Sequence, residues 1–95
     1  MYNLAVTSKV WIQLQSMIDF YEKKNSGLGN RFLKDFDETL LKLTDNPHSY
    51  FNVNKHKRRI SFKVFKCMLI YKITETTVQV QVLKDFRSKP QKDFY

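Results

Sequence analysis

The hydrophobic pattern of the chain changes period at Asn46-Pro47, and this change limits the folds that the sequence can adopt. Over residues 10–43, ahead of it, apolar side chains recur every three or four residues, which is the spacing of one face of an α-helix. After it, apolar and polar residues alternate, which is typical of strands with one buried face. A residue before proline is pushed out of the helical region, so the last helix should end here. The sequence therefore predicts helices before this point and a sheet after it.

Three elements are predicted ahead of the change in period. Residues 2–6 alternate between apolar and polar or small side chains and predict a short opening strand. An apolar stripe over residues 10–21, with Ser8 available as an N-cap, predicts a first helix. A stripe over residues 28–43 predicts a second helix, and Gly27 suits a left-handed turn between the two. A connection this short makes the helices antiparallel neighbours.

Period-two alternation predicts three strands in the second half, arranged as a meander. They cover residues 59–64, 69–73 and 77–82. A fourth, shorter strand is predicted over residues 50–53. A turn at Lys66-Cys67 sets Val64 on the face that the helices cover. The opposite face then carries polar and basic side chains, namely Arg59, Ser61, Lys63, Lys72, Gln79 and Gln81.

The predicted fold class is therefore α+β. It has an N-terminal strand and an antiparallel helical hairpin packed on one face of a twisted antiparallel sheet of three to four strands, in the order β-α-α-β-β-β. A chain of 95 residues has room for one core. Residues 1–95 are expected to form a single domain.

The net charge of +8 lies in the second half of the chain. Residues 1–47 contain six basic and six acidic side chains, whereas residues 48–95 contain eleven basic and three acidic ones. Excess positive charge favours an anionic partner. The division predicts that the helices serve as scaffold and that the second half meets the partner.

The basic side chains are densest over residues 55–59, and Lys63 and Lys66 follow closely. Adjacent cations repel one another, and a phosphate backbone or an acidic chain offsets that cost. Alternatively, the run is a solvated loop and strand edge, where lysines oppose aggregation between sheet edges. The sequence leaves both interpretations open.

No metal and no cofactor are predicted. His48 and His56 have no carboxylate at ligand spacing and are expected to be surface residues. Gly27 and Gly29 are the only glycines, so there is no glycine-rich phosphate loop, and both are expected in connections. Cys67 lies in an apolar run and is expected in the core.

The helical spacing also assigns side chains to core or solvent. Trp11, Phe32 and Phe36 are expected in the core, whereas the carboxylates over residues 35–38 are expected on a solvated face. A single cysteine excludes an intrachain disulfide and favours a reducing compartment. No apolar run approaches the roughly 20 residues of a membrane span, and no signal-peptide pattern is present. A cytoplasmic protein with no membrane partner is therefore expected.

Basic residues can cleave RNA without a metal ion. The 2′-hydroxyl attacks the adjacent phosphorus once a base takes its proton, an acid protonates the departing 5′-oxygen, and cations stabilise the phosphorane. Neighbouring positive charges favour the neutral, proton-accepting form of a lysine. The candidates are Lys55, Lys57 and Lys63 as base, Arg59 and Arg87 as cations, and Tyr95 as proton donor or stacking group.

Several motifs, taken in order, resemble the RelE/ParE superfamily of toxins from type II toxin–antitoxin systems, and the resemblance covers essentially the whole chain. The motifs are FYEKK at residues 20–24, GLGNRF at 27–32, NP at 46–47, RR at 58–59, LIYKI at 69–73 and RSKP at 87–90. The resemblance implies a helical hairpin on a sheet whose other face is functional. It also implies a cognate antitoxin as a partner.

The superfamily has two branches with different mechanisms. RelE-like members cleave mRNA in the ribosomal A site, whereas ParE-like members inhibit DNA gyrase and have no established catalytic residues. The resemblance implies a growth-inhibiting toxin that is a metal-independent, ribosome-associated mRNA endonuclease, with a ParE-like gyrase inhibitor as the alternative. A degenerate toxin that only binds its antitoxin is a third possibility. Its partners are then the antitoxin and either the ribosome with mRNA or DNA gyrase.

The resemblance to the RelE branch also implies site residues. The implied catalytic residues are Lys55, Lys57, Lys63, Arg87 and Tyr95. The charge pattern adds candidates for binding nucleic acid or another target, namely Arg58, Arg59, Lys66, Lys72 and Lys89. Lys63 stands where the RelE branch has an arginine, so a bidentate contact with phosphate is lost.

Overall fold

The computed structural model describes residues 1–85, and its elements follow the order that the sequence predicts. The elements are β1 (Asn3–Val6), α1 (Ser8–Lys24), α2 (Leu28–Asp45), one turn of 3-10 helix (Pro47–Ser49), β2 (Arg58–Ser61), β3 (Cys67–Thr74) and β4 (Thr77–Asp85). The predicted order β-α-α-β-β-β and the α+β class are confirmed.

The four strands form one mixed sheet in the order β1-β4-β3-β2. β2, β3 and β4 are antiparallel, as predicted, and Ile60 lies opposite Leu69. β1 joins the sheet as an edge strand parallel to β4, with Leu4 opposite Val78. Parallel neighbours need a long crossover, and here two helices and two strands separate them along the chain.

The helical hairpin covers one face of the sheet, and the core lies between them. Its buried side chains are Val10, Leu14, Tyr21, Phe32, Phe36 and Leu43 from the helices, with Ile60, Phe62, Cys67, Leu69, Tyr71, Val78, Val80 and Leu83 from the sheet and its connections. Arg59, Lys72 and Gln79 alternate with these strand residues, so they lie on the opposite face, as predicted. Met68 and Ile70 share that second face and are also buried.

β2 is shorter than predicted because the chain that follows it binds to α2. The carboxylate of Asp35, a residue only 3% exposed, accepts hydrogen bonds from the backbone N–H groups of Lys63 (3.2 Å), Val64 (2.9 Å) and Phe65 (2.9 Å). These amides do not join a strand ladder, and β2 ends at Ser61. The prediction that Val64 faces the core is wrong, since it is 64% exposed. The prediction that Asp35 is solvated is also wrong.

An aromatic cluster packs beside this connection. The ring centroid of Phe65 lies 4.8 Å from that of Tyr21 and 5.0 Å from that of Phe32. The centroid of Phe62 lies 5.4 Å from that of Phe32. Burial of such a side chain contributes about 1.5–3 kcal/mol. Residues 62–66, which we call the Asp35 loop, are therefore held by both polar and apolar contacts.

Three further sequence predictions need correction. Trp11 is 49% exposed, although its ring centroid lies 6.0 Å from that of Phe36. Thr7, and not Ser8, occupies the N-cap position of α1, and Ser8 is the first residue of the helix. Residues 50–53, predicted as a short strand, do not form one. Within this segment Asn52 pairs with Arg58 of β2 through an isolated antiparallel bridge.

The junction between the helices depends on Glu22. Its Oε2 accepts a hydrogen bond from the N–H of Gly27 (2.9 Å) and its Oε1 accepts one from the N–H of Gly29 (3.0 Å). These two bonds hold the pKa of Glu22 below its ordinary value. Gly27 has a φ of 88°, the left-handed backbone that the sequence predicts. Gly29 lies in the first turn of α2, where a Cβ would be 2.9 Å from the carbonyl oxygen of Ile18, so glycine permits the close approach of the helices.

Replacement of Asp35 by asparagine should lower the free energy of unfolding by about 2–4 kcal/mol. The asparagine NH₂ group cannot accept a hydrogen bond, so at least one of the three backbone N–H groups loses its acceptor, and the charge that strengthens the other bonds is removed. The measurement is urea denaturation at pH 7. Asp37→Asn, an exposed carboxylate two residues further along α2, is the matched control and should change stability by less than about 0.5 kcal/mol. Equal stability of the Asp35 variant and the wild type would contradict this role.

Acid should weaken the junction that Glu22 holds. Folding lowers the pKa of the Glu22 carboxyl. The carboxylate therefore stabilises the fold fully at pH values above the pKa of the unfolded chain, about 4.3. This stabilisation is lost as the pH falls through the lower pKa of the folded chain. Glu22→Gln should therefore be less stable than the wild type at pH 7, and the difference should narrow below about pH 4.3. Urea midpoints from pH 7 to pH 3 test this. Glu38→Gln, on an exposed side chain, is the control, and a difference that widens in acid would refute the assignment.

Candidate functional site

Four of the predicted basic residues, Lys55, Lys57, Lys63 and Lys66, lie at the two ends of β2 and not in one group. Lys55 and Lys57 lie in the loop before β2, whereas Lys63 and Lys66 lie in the Asp35 loop after it. β2 has four residues, which span about 13 Å at about 3.3 Å each. The two pairs therefore form separate surfaces.

The first pair lines a cleft of about 420 Å³, which we call the basic cleft. Its lining residues are His48, Asn52, Lys55, His56, Lys57, Arg58, Lys72, Ile73 and Thr74. Among these residues are four cations and two histidines, and the described lining contains no carboxylate. The arrangement favours an anionic ligand.

A tight turn at residues 53–57 forms one side of the basic cleft. The side-chain oxygen of Asn54 accepts hydrogen bonds from the backbone N–H groups of His56 (2.8 Å) and Lys57 (3.0 Å). The N–H of Val53 donates to the carbonyl of Lys57 (2.8 Å), which closes the turn. An asparagine that binds the backbone ahead of it in this way is a common turn device. Lys55 and His56 lie exposed at its tip.

Arg58 joins this side of the basic cleft to the segment that follows α2. Its Nη1 donates hydrogen bonds to the carbonyls of His48 (3.0 Å) and Tyr50 (2.8 Å). The hydroxyl of Tyr71, opposite Arg58 in the sheet, donates to the carbonyl of Pro47 (2.6 Å). Burial raises the pKa of Tyr71 to about 12, against the opposing effect of Arg58. Arg58, predicted to bind the target, therefore also has a structural role.

Lys72 forms the opposite side of the basic cleft. It lies on β3, opposite Gln79 of β4, on the face away from the helices. It also lines a neighbouring cavity of about 410 Å³ that includes Glu75 and Ala5. Lys72 thus contributes to two adjacent depressions at this end of the sheet.

The second basic pair has different neighbours. Lys63 lines a depression of about 350 Å³ with Arg31, Lys34 and Glu38 of α2. Lys66 lies exposed on the same loop. The structure thus places Lys63 beside the helices and not with Lys55 and Lys57.

Phe51 is an exposed aromatic side chain that the sequence analysis did not assign to the site. It is 74% exposed, and the guanidinium of Arg59 lies 5.4 Å from its ring centroid. It precedes Asn52, which lines the basic cleft. His48 and His56 were assigned only as surface residues. The sequence alone places His56 beside Lys55 and Lys57. The contact between His48 and Arg58 joins residues ten positions apart, so it can be found only from the folded structure.

Three predicted site residues, Arg87, Lys89 and Tyr95, lie outside the described residues. Within residues 1–85, no three His, Cys, Asp or Glu side chains are placed to hold a metal ion together. No helix in this part of the chain is long and apolar enough to cross a membrane.

Residues 4–87 match a family model described as the ParE toxin of the type II toxin–antitoxin system parDE. The chain belongs to the ParE toxin family. It is thus a type II toxin of the RelE/ParE superfamily, as the resemblance implies. Comparison with curated protein sequences gives no significant match.

Solved structures of toxin–antitoxin systems share the fold of this ParE-family chain. The chromosomal ParDE system from P. aeruginosa superposes with a TM-score of 0.74 at 16% identity, covering 92% of this chain and 98% of that one. The E. coli RelBE complex gives 0.67 at 12% identity, covering 92% and 99%. The isolated E. coli RelE toxin gives 0.66 at 15% identity, covering 93% and 88%. At these identities the likeness concerns the fold.

Proposed function

We propose that this protein is the growth-inhibiting toxin of a toxin–antitoxin pair and that it inhibits DNA gyrase by binding, without a catalytic step of its own. The observation that supports the proposal is that β2 separates Lys63 from Lys55 and Lys57, the three lysines that the resemblance to the RelE branch assigns to one catalytic site. Cleavage of RNA without a metal needs base, acid and cations within hydrogen-bond reach of one phosphate. Lys55 and Lys57 lie on one side of β2 and Lys63 on the other.

The family match also supports inhibition of gyrase over cleavage of mRNA. The model that matches residues 4–87 is that of ParE toxins, and the ParE branch is the one whose members inhibit gyrase. The higher TM-score of the ParDE structure, 0.74 against 0.66 for RelE, agrees with this.

The proposed partner in the resting state is a cognate antitoxin. The solved structures that share the fold are described as the ParDE system and the RelBE toxin–antitoxin complex. The charge of this chain, +8 overall, favours an antitoxin with an acidic, amphipathic segment.

Purified protein should cause cleaved, linear DNA to accumulate when it is incubated with gyrase, ATP and a supercoiled plasmid. Lys63→Gln should give the same amount of linear DNA within about twofold, because Lys63 is not required as a base. A base needed for catalysis would contribute about 10²-fold or more. The measurement is the fraction of linear plasmid on an agarose gel, after each reaction has been stopped with detergent and treated with protease. Gyrase that remains unaffected at a large excess of toxin would refute the proposal.

The second candidate function is ribosome-dependent cleavage of mRNA. The observation that favours it is the presence of His48 and His56 among the cations of the basic cleft, because imidazoles are effective proton donors and acceptors near neutral pH. The 2′-oxygen would bond to phosphorus as the 5′-oxygen departs with a proton, leaving a 2′,3′-cyclic phosphate and a 5′-hydroxyl.

Toeprinting of a translated mRNA separates the two candidates with the same protein preparation. The gyrase proposal predicts intact mRNA in this assay. Cleavage in the A site together with an inert gyrase reaction would establish the second candidate. Inactivity in both assays, with tight antitoxin binding, would indicate a toxin that retains only its antitoxin partner.

A further inference from the structure

The exposed side of α2 carries its charges in an order that does not stabilise a single helix. Arg31 and Lys34 lie in the first half of the helix. Glu38 and Asp45 lie in the second half, where Lys42 is the only cation. A lone helix is stabilised by acidic side chains near its N-terminus and basic ones near its C-terminus, and the first turn of α2 has no acidic residue. The stability of the helix itself therefore does not account for this order.

Four exposed side chains form one row along α2, which we call the α2 stripe. Its members, three or four residues apart, are Lys34, Glu38, Leu41 and Asp45. This spacing places them on one side of the helix, and all four are exposed. Within residues 1–85, the charged groups of the stripe form no ion pair, although Lys34 and Glu38 are four positions apart. A lysine that precedes a glutamate is the weaker order at this spacing, so the stripe can turn its charges towards a partner.

Two exposed apolar side chains accompany these charges. Leu41, within the stripe, is 66% exposed. Val64 is 64% exposed, and its backbone N–H donates to Asp35 of α2 (2.9 Å). Val64 lines the same depression as Arg31 and Lys34. The Asp35 loop thus presents an apolar side chain beside the positive half of α2.

The stripe is complementary to a reversed copy of itself. In an antiparallel pair of α2 helices, with a two-fold axis between Lys34 and Glu38, each Lys34 faces the Glu38 of the other copy. The same register sets each Leu41 opposite Arg31 and the neighbouring Val64. A two-fold interface brings one patch against the same patch of a second copy, so a single patch must contain both sides of every contact. The α2 stripe meets this requirement.

The net charge of the protein opposes such a contact only weakly. Residues 1–47 contain equal numbers of basic and acidic side chains, so the excess of +8 belongs to the second half of the chain. Repulsion between exposed charges is screened beyond a distance of about 8 Å at about 0.15 M salt. The basic cleft and the Asp35 loop lie at opposite ends of β2. Two copies that meet through α2 therefore leave both basic clefts accessible.

We propose that the α2 stripe and Val64 form the interface of a symmetric homodimer with antiparallel α2 helices. Two ion pairs between Lys34 and Glu38 fix the register, and Leu41 packs against Val64 and the aliphatic part of Arg31. A second copy suits this surface better than a uniformly acidic segment, because the surface carries charges of both signs. Dimerisation is separate from the inhibition of gyrase, and either can fail without the other.

Sedimentation equilibrium of the full-length protein tests the proposal. At concentrations from about 1 μM to about 0.2 mM, which cover weak dimers, the wild type should show a monomer–dimer equilibrium. Lys34→Glu and Glu38→Lys should each raise the dissociation constant at least about tenfold, because like charges then face each other across the axis. The double variant Lys34→Glu, Glu38→Lys should return to within about threefold of the wild type, because opposite charges face each other again.

The apolar contact has a matched control. Leu41→Ser should raise the dissociation constant about tenfold or more, because an apolar side chain is no longer buried on association. Ile12→Ser changes a side chain of α1 that is 71% exposed, and it should stay within about twofold of the wild type. Circular dichroism of each variant shows that its fold is retained.

Four results would overturn the proposal. The first is a monomer at every concentration, and the second is a dimer that Lys34→Glu leaves unchanged. The third is a double variant that dimerises as weakly as the single variants, since Lys34 and Glu38 then do not face each other across the axis. The fourth is an equal loss of dimerisation in Ile12→Ser and Leu41→Ser, which would place the interface on α1.

Discussion

The carboxylate of Asp35 is the contact on which the placement of the basic side chains depends. Asp35 is a buried residue of α2, and its carboxylate accepts hydrogen bonds from three backbone N–H groups of the Asp35 loop, which joins β2 to β3. A buried carboxylate without such donors is very costly, so the loop and the helix require each other. The contact draws the chain away from the sheet after Ser61, and the side chains of Phe62 and Phe65 pack in the aromatic cluster. β2 therefore has four residues, and the lysines before and after it are separated.

This separation links the fold to the proposed mode of action. The helical half of the chain is electrically balanced and supplies the core, and the second half carries the excess charge. The structure forms one basic cleft, which includes Lys55 and Lys57, before β2 and a second, mixed-charge surface, which includes Lys63, beside α2. Two such surfaces suit the proposed mode of action, which needs recognition of a partner and no catalytic step.

The sequence predicts the features that depend on neighbouring residues. The order of elements, the left-handed Gly27 and the burial of Cys67 all follow from local periodicity and turn chemistry, and all are confirmed. Contacts between distant residues explain the failures. Val64 fits the alternation of a strand, but its amide binds Asp35, 29 positions away. Asp35 resembles its solvated neighbours, although its spacing from Phe32 and Thr39 places it on the buried side of α2. His48 is held at the cleft by contacts between distant residues, among them the bond from Arg58 to its backbone carbonyl.

Amide hydrogen exchange at residues 63–65 tests the central claim most directly, because those three N–H groups donate to Asp35. In the wild type they should exchange slowly, as hydrogen-bonded amides do. In Asp35→Asn they should exchange faster relative to the amides paired between β3 and β4, which report the stability of the sheet itself. Rapid exchange of all three amides in the wild type, or an unchanged ratio in the variant, would contradict the account.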